Sequence, residues 1–173
     1  MKRPSNTKRP LNPHSLYLDE GISGTTLASL LRKAKLVVFE YEELLERNKK
    51  IPDATVLKRA VEAGYVLVSK DGNMESDELE YIIEHRARVI FLDDQEGGPV
   101  SWAAALICAE SAYERVLLSN PSGPLTIHVS RIGTIRAVTG EEELRRRCDR
   151  IQTAHITRRK RHQKIVPTGT GRN

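Results

Sequence analysis

Four aspartates stand where an apolar run gives out. Asp19 closes Leu16-Tyr17-Leu18, Asp71 follows Val66-Leu67-Val68 after Ser69 and Lys70, and Asp93 with Asp94 closes Val89-Ile90-Phe91-Leu92. A fifth, Asp53, opens an amphipathic stretch after Ile51-Pro52. Carboxylates gathered in one crevice repel one another unless protons or a cation neutralise them. Carboxylate-only sites suit hard cations, Mg²⁺ or Mn²⁺. Such ions activate water and neutralise charge on a phosphodiester during in-line attack. The chemistry this pattern suits is therefore metal-dependent and directed at phosphate. Each acid also has a plainer role open to it. Asp53 after Pro52 can cap a helix, Asp71 before Gly72 can serve a turn, and Asp93 and Asp94 can be loop residues. Asp19, directly behind an apolar strand, is the hardest to explain that way. Glu20 is expected to face away from Asp19 or to support it from behind.

Other residue types offer less. His14, His85, His128, His155 and His162 lack metal-ligand spacing. Cys108 falls among apolar residues and reads as core; Cys148 falls among arginines, which lower a thiol pKa, but has no evident base. No phosphate loop of the GxxxxGK[ST] kind is present. Aromatic residues are 5%, too few for a base-stacking RNA platform. Ser69, Lys70 and Asn73 flank Asp71, where they can orient a ligand or touch phosphate.

The elements that must carry these acids alternate. Residues 16–18, 36–39, 66–68 and 89–92 read as strands. Between them, Leu27, Leu30, Leu31 and Ala34 mark a helix capped at Thr25 or Thr26, and Val56, Leu57, Ala60 and Val61 mark a second, stopped by Gly64. Residues 41–50 are charged and read as exposed, with a short helix. Ser76 is expected to cap a third helix with Leu79, Ile82 and Ile83 inward. After Gly97-Gly98-Pro99 the longest helix runs from about 101 to 118, burying Trp102, Leu106, Ala109, Tyr113, Val116 and Leu117. Residues 121–124 form a turn, and 126–138 two short strands around Gly133. Thr139 and Glu142 have capping-box spacing for a terminal helix through Leu144, Cys148 and Ile151. Strands alternating with helices predict an α/β fold: a central parallel sheet of about four strands covered on both faces, followed by a short hairpin. In such a sheet the ligand crevice lies outside the C-terminal ends of the strands, where Asp19, Asp71, Asp93 and Asp94 all fall.

The chain has 173 residues, room for one domain with appendages. Its charge is uneven: residues 1–14 carry +4, residues 15–149 carry −6 and residues 150–173 carry +7. We expect basic disordered tails at 1–14 and 153–173 around a domain spanning 15–152. The tails suit an anionic partner such as nucleic acid. No apolar run reaches the ~20 residues of a membrane span. The basic, Pro-rich opening is unlike a secretory signal, and two cysteines fit a reducing, cytoplasmic setting.

The segments LYLDEGISG (16–24), PDATVLKRAVEAG (52–64) and YVLVSKD (65–71), in this order and spacing, resemble a PIN-like domain, in particular the VapC-like toxin group. The later RVIFL strand, the Trp-containing helix and the GPLTIHVS segment resemble the rest of that domain, so the likeness covers roughly 15–138. It implies a three-layer α/β/α domain acting as a Mg²⁺-dependent ribonuclease, with Mn²⁺ as substitute, and typically the toxin of a toxin–antitoxin pair. Asp19, Asp53 and Asp71 would match the family's acidic metal-site positions. Asp93, Asp94 or Asn73 would have to stand in for a further acid. Partners implied are RNA, a cognate antitoxin and a second copy of the chain. Two other readings stand beside it: a non-catalytic PIN-like module that binds nucleic acid or protein, and a receiver-like signalling domain with Asp19, Glu20 and Asp71 as its acids. A receiver also needs a lysine after its last parallel strand, and residues 127–130 contain none.

Overall fold

The computed structural model describes residues 15–44 and 51–165, and of 155–165 the helical backbone alone. The chain runs β1 (Ser15–Leu18), α1 (Thr25–Lys33), β2 (Val37–Phe39), α2 (Tyr41–Leu44), α3 (Asp53–Ala63), β3 (Val66–Ser69), α4 (Met74–Asp77), α5 (Leu79–Glu84), β4 (Arg88–Leu92), α6 (Pro99–Ser119), β5 (Leu125–Val129), β6 (Ile135–Gly140) and α7 (Glu141–Ile165). The six strands form one sheet in the order β2-β1-β3-β4-β5-β6. All neighbours are parallel except β5 and β6. The expected hairpin is therefore part of the sheet, its first strand lying parallel to β4.

Alternation along the strands makes the three layers. Leu16, Leu18, Val66, Val68, Ile90 and Leu92 face α1 and α6, where Leu27, Leu31, Leu106 and Tyr113 close one core. Tyr17, Leu67, Val89 and Phe91 point the other way, onto Val56 and Leu57 of α3, Ile82 of α5 and Leu144 of α7. The sheet is buried on both faces, so its central strands read as continuous apolar runs. Trp102 and Tyr113 are part of the core. Cys108 is exposed, not core as its apolar neighbours suggest, because it lies on the outer side of α6.

Four local expectations change. Neither Thr25 nor Thr26 caps α1: the helix starts at Thr25, and Gly24 holds the cap position with no side-chain hydrogen bond. Ser76 does not cap the third helix: α4 starts at Met74, a second short helix follows from Leu79, and the Ser76 hydroxyl donates back to the Asn73 carbonyl at 2.9 Å. Thr139 belongs to β6, paired with Thr126, and α7 starts at Glu141 without it. α7 also continues to Ile165, past the start of the disordered tail expected at 153. Pairs one turn apart, Glu141 with Arg145 at 2.8 Å and Glu143 with Arg147 at 3.5 Å, support its first turns. The expected tail at 1–14, part of the charged stretch (45–50) and residues 166–173 lie outside the described residues.

Candidate metal centre

The strand order reverses between β1 and β3: from β1 the chain goes to β2 on one side and then to β3 on the other. That switch point opens the crevice of a doubly wound sheet, and Asp19 and Asp71 leave the two strands that flank it. The Asp19 backbone N–H donates to the Val68 carbonyl at 2.9 Å, fixing the end of β1 beside β3. Its side chain is 7% exposed. One carboxylate oxygen accepts the Ser69 hydroxyl at 2.8 Å and the other accepts the Glu20 N–H at 2.8 Å. Ser69 in turn accepts the Asp71 N–H at 3.1 Å, so a single buried serine orients one acid and places the next. Asp71 also serves its turn, its Oδ1 accepting the Asn73 N–H at 2.9 Å. Asp53 opens α3 with Pro52 in the cap position, so its carboxylate is not spent on the cap.

Electrostatics join these groups. Burial is the main cause that raises the Asp19 pKa above its ordinary value, with Asp53 and Asp71 adding to it against the two hydrogen bonds. Asp53 is raised by burial first, then by Asp71, Asp77 and Glu20. Glu78 is raised by burial, Asp53 and Asp77. Among the described residues no lysine, arginine or histidine pairs with Asp19, Asp53 or Asp71. Lys70, the nearest cation in sequence, lays its Nζ over the Trp102 ring, 4.8 Å from the centroid.

Sequence reasoning missed three members of this edge. Asp77 and Glu78 follow β3 by less than a dozen residues, on the side of the sheet where the crevice rule directs attention. Tyr41 follows β2 at the same edge. It is 4% exposed, and among the described residues its hydroxyl has no hydrogen-bond partner. Burial, then Glu20, Asp19 and Asp53, raise its pKa. Asp93 and Asp94 do not join. Asp93 faces His128 at 3.2 Å and Arg136 at 3.7 Å, while Asp94 accepts the Ser101 hydroxyl at 2.6 Å and faces Arg131 at 3.7 Å. Asn73 meets Asp71 through its backbone. Cys148 is raised, not lowered: burial, Glu80 and Asp149 outweigh Arg145.

The donors along this edge are hard oxygens, a type suited to Mg²⁺ or Mn²⁺. Among the described residues, no group of three His, Cys, Asp or Glu side chains is arranged to hold a metal ion. Mg²⁺ keeps several of its waters and is usually held by one or two carboxylates. A buried, oriented carboxylate repelled by its neighbours, beside a buried hydroxyl that lacks a partner, fits a hydrated ion of that kind. No family model, curated protein or solved structure matches the chain. No helix among the described residues is long and apolar enough to cross a membrane.

Proposed function

We propose that the protein is a metal-dependent ribonuclease that hydrolyses RNA phosphodiesters at the cleft between the ends of β1 and β3. The observation that carries this reading is that Asp53 and Asp71 both bear electrostatically on the buried Asp19 at the switch point, with no described cation paired to any of the three. Mg²⁺, when bound, supplies charge neutralisation and a water of lowered pKa. Asp19, locked by Ser69 and the Glu20 N–H, is the principal ligand, and Asp53 and Asp71 complete the negative field that holds the ion. Tyr41 supplies a hydroxyl for an oxygen bound in the cleft. Hydrolysis of this kind needs no 2′-hydroxyl, so the products carry a 5′-phosphate and a 3′-hydroxyl. The basic ends of the chain attract the RNA backbone, and affinity falls as salt rises. A cytoplasmic toxin paired with an antitoxin is the setting that the resemblance to the VapC-like group supports.

The test is cleavage of a mixed RNA pool by purified protein in Mg²⁺, Mn²⁺ or EDTA, with Asp19→Ala and Asp71→Ala alongside. Metal-dependent cleavage lost in both variants supports the reading. Cleavage that survives both, or products ending in 2′,3′-cyclic phosphate, refutes it. RNA binding without cleavage in any metal favours the non-catalytic module instead.

The sheet order favours a second reading, because doubly wound receiver domains share the order 2-1-3-4-5. Asp19, Glu20 and Asp71 then become the phosphorylation pocket, although β5 is followed by Ser130 and Arg131 and not by a lysine. Labelling of Asp71 by a small phosphodonor, absent in Asp71→Asn, would select that reading.

A further inference from the structure

His128 stands near the end of β5 with both ring nitrogens against carboxylates. Its Nε2 is 3.1 Å from Glu75 Oε2 and its Nδ1 is 3.2 Å from Asp93 Oδ1. A neutral imidazole has one N–H and one acceptor nitrogen. Between two ionised carboxylates, one of these contacts would set lone pair against lone pair. Both are satisfied only by an imidazolium or by a protonated carboxyl. The surroundings oppose the second option. Glu75 also accepts the Thr126 hydroxyl at 2.7 Å and faces Arg147 of α7 at 3.4 Å. Arg147 is shared with Glu143 at 3.5 Å. Asp93 faces Arg136 of β6 at 3.7 Å. Each carboxylate thus has a guanidinium behind it that favours its anionic form. The Phe91 ring of β4 covers the imidazole, 5.2 Å between centroids. In keeping with this, the Glu75 hydrogen bond is the main cause that raises the His128 pKa, against burial and with help from Asp93. His128 is the main cause that lowers Glu75.

Glu75 belongs to α4, and α4 follows directly on the turn that carries Asp71. That turn is a chain of hydrogen bonds: Asp71 N–H to Ser69 Oγ, Asn73 N–H to Asp71 Oδ1, and Met74 N–H to the Asp71 carbonyl at 3.2 Å. A tie that holds Glu75 on β5 therefore fixes the turn as well. We propose that His128, as an imidazolium between Glu75 and Asp93, is a positioning residue that clamps α4 to β5 and holds Asp71 at the acidic cleft, and that loss of its proton releases the clamp. The functional part of this statement rests on the cleft being the working site, so its test uses neither RNA nor metal.

The experiment is NMR on the metal-free full chain between pH 5 and 9. It follows the His128 ring resonances and the hydrogen-exchange rates of the Asp71 and Asn73 amides. We expect both ring nitrogens to carry protons at pH 6 and the titration midpoint to lie above the ordinary value of about 6.5. Amide protection at Asp71 and Asn73 should fall as His128 deprotonates, beyond the intrinsic base-catalysed rise in exchange. Glu75→Gln keeps the shape and can still accept from Thr126, but removes the charge. Its His128 midpoint should move down, and linkage ties about tenfold of His128-dependent protection to each unit of that movement. In His128→Gln, whose amide group donates from one side only, the protection should be lower and its extra pH dependence gone. A singly protonated ring at pH 6, a midpoint at or below the ordinary value, or amide protection indifferent to His128 would overturn the proposal. Absence of RNA cleavage would leave this titration unchanged, so the two readings fail separately.

Discussion

Replacing Asp19 by asparagine removes the charge and keeps one acceptor oxygen for the Glu20 N–H, while its amide NH2 meets the Ser69 hydroxyl, which can turn to accept it. Asp19 is 7% exposed, and its burial together with Asp53 and Asp71 outweighs the Ser69 and Glu20 hydrogen bonds in raising its pKa. A group raised in this way contributes stability below its ordinary value, and that contribution is lost as pH rises through the folded value. Near pH 3 the two proteins should therefore unfold at similar temperatures. At pH 7 without metal, Asp19→Asn should be the more stable, by about 1.4 kcal/mol for each unit of the rise. In a domain of this size 1 kcal/mol is about 2–4 °C in Tm. Mg²⁺ at a hundred times its Kd adds about 2.7 kcal/mol to a protein that binds it, or about 5–10 °C. That gain should appear in the wild type and not in the variant, so Mg²⁺ removes the variant's advantage in proportion and reverses the order where the rise is below about two units. The assay is thermal unfolding at pH 3 and 7, in EDTA and in Mg²⁺. An equal Mg²⁺ shift in both proteins, or none in either, would refute the metal assignment of Asp19. A less stable Asp19→Asn at pH 7 in EDTA would refute the electrostatic argument itself.

Tyr41→Phe removes a buried hydroxyl without a described partner and should stabilise the metal-free protein by about 1 kcal/mol; thermal melts in EDTA and Mg²⁺ should show that gain shrink once the ion and its waters are bound. Gly133 has φ +77°, and a Cβ there would lie 2.4 Å from Cys108 Cβ and 2.8 Å from the Ala105 carbonyl oxygen. Gly133→Ala should therefore cost about 2–4 kcal/mol, read from urea unfolding. The His128 pair gives stability that is fully present below about pH 6.5 and lost as pH rises through its raised folded value, whereas the Glu75 contribution is present above about pH 4.5 and lost as pH falls through its lowered one. Urea unfolding between pH 4 and 9 should accordingly show a fall in stability on the alkaline side that is flattened in His128→Gln.

The layers were legible because burial on both faces leaves a local mark. The apolar runs at 16–18, 66–68 and 89–92 are strands of the central sheet, and the periodic residues of 27–34 and 56–61 face it. Asp19 and Asp71 could be placed at one edge because parallel strands joined by helices all end on the same side. The far half of α7 was not legible, since residues 153–165 carry no apolar period and no acid to pair with their basic side chains.

The sequence by itself determined which segments become strands and helices, and with them the edge at which the aspartates emerge, because those properties depend on residues a few positions apart. Only the tertiary structure decided that β1 lies between β2 and β3, which puts Tyr41 and Asp19 at one opening. It also decided that Asp93 turns to His128 and Arg136, and that Glu75 reaches across to β5. Those pairings join residues dozens of positions apart. They depend on strand order and register, which apolar periodicity does not encode, and a polar side chain's partner is whatever group that order brings within hydrogen-bond distance.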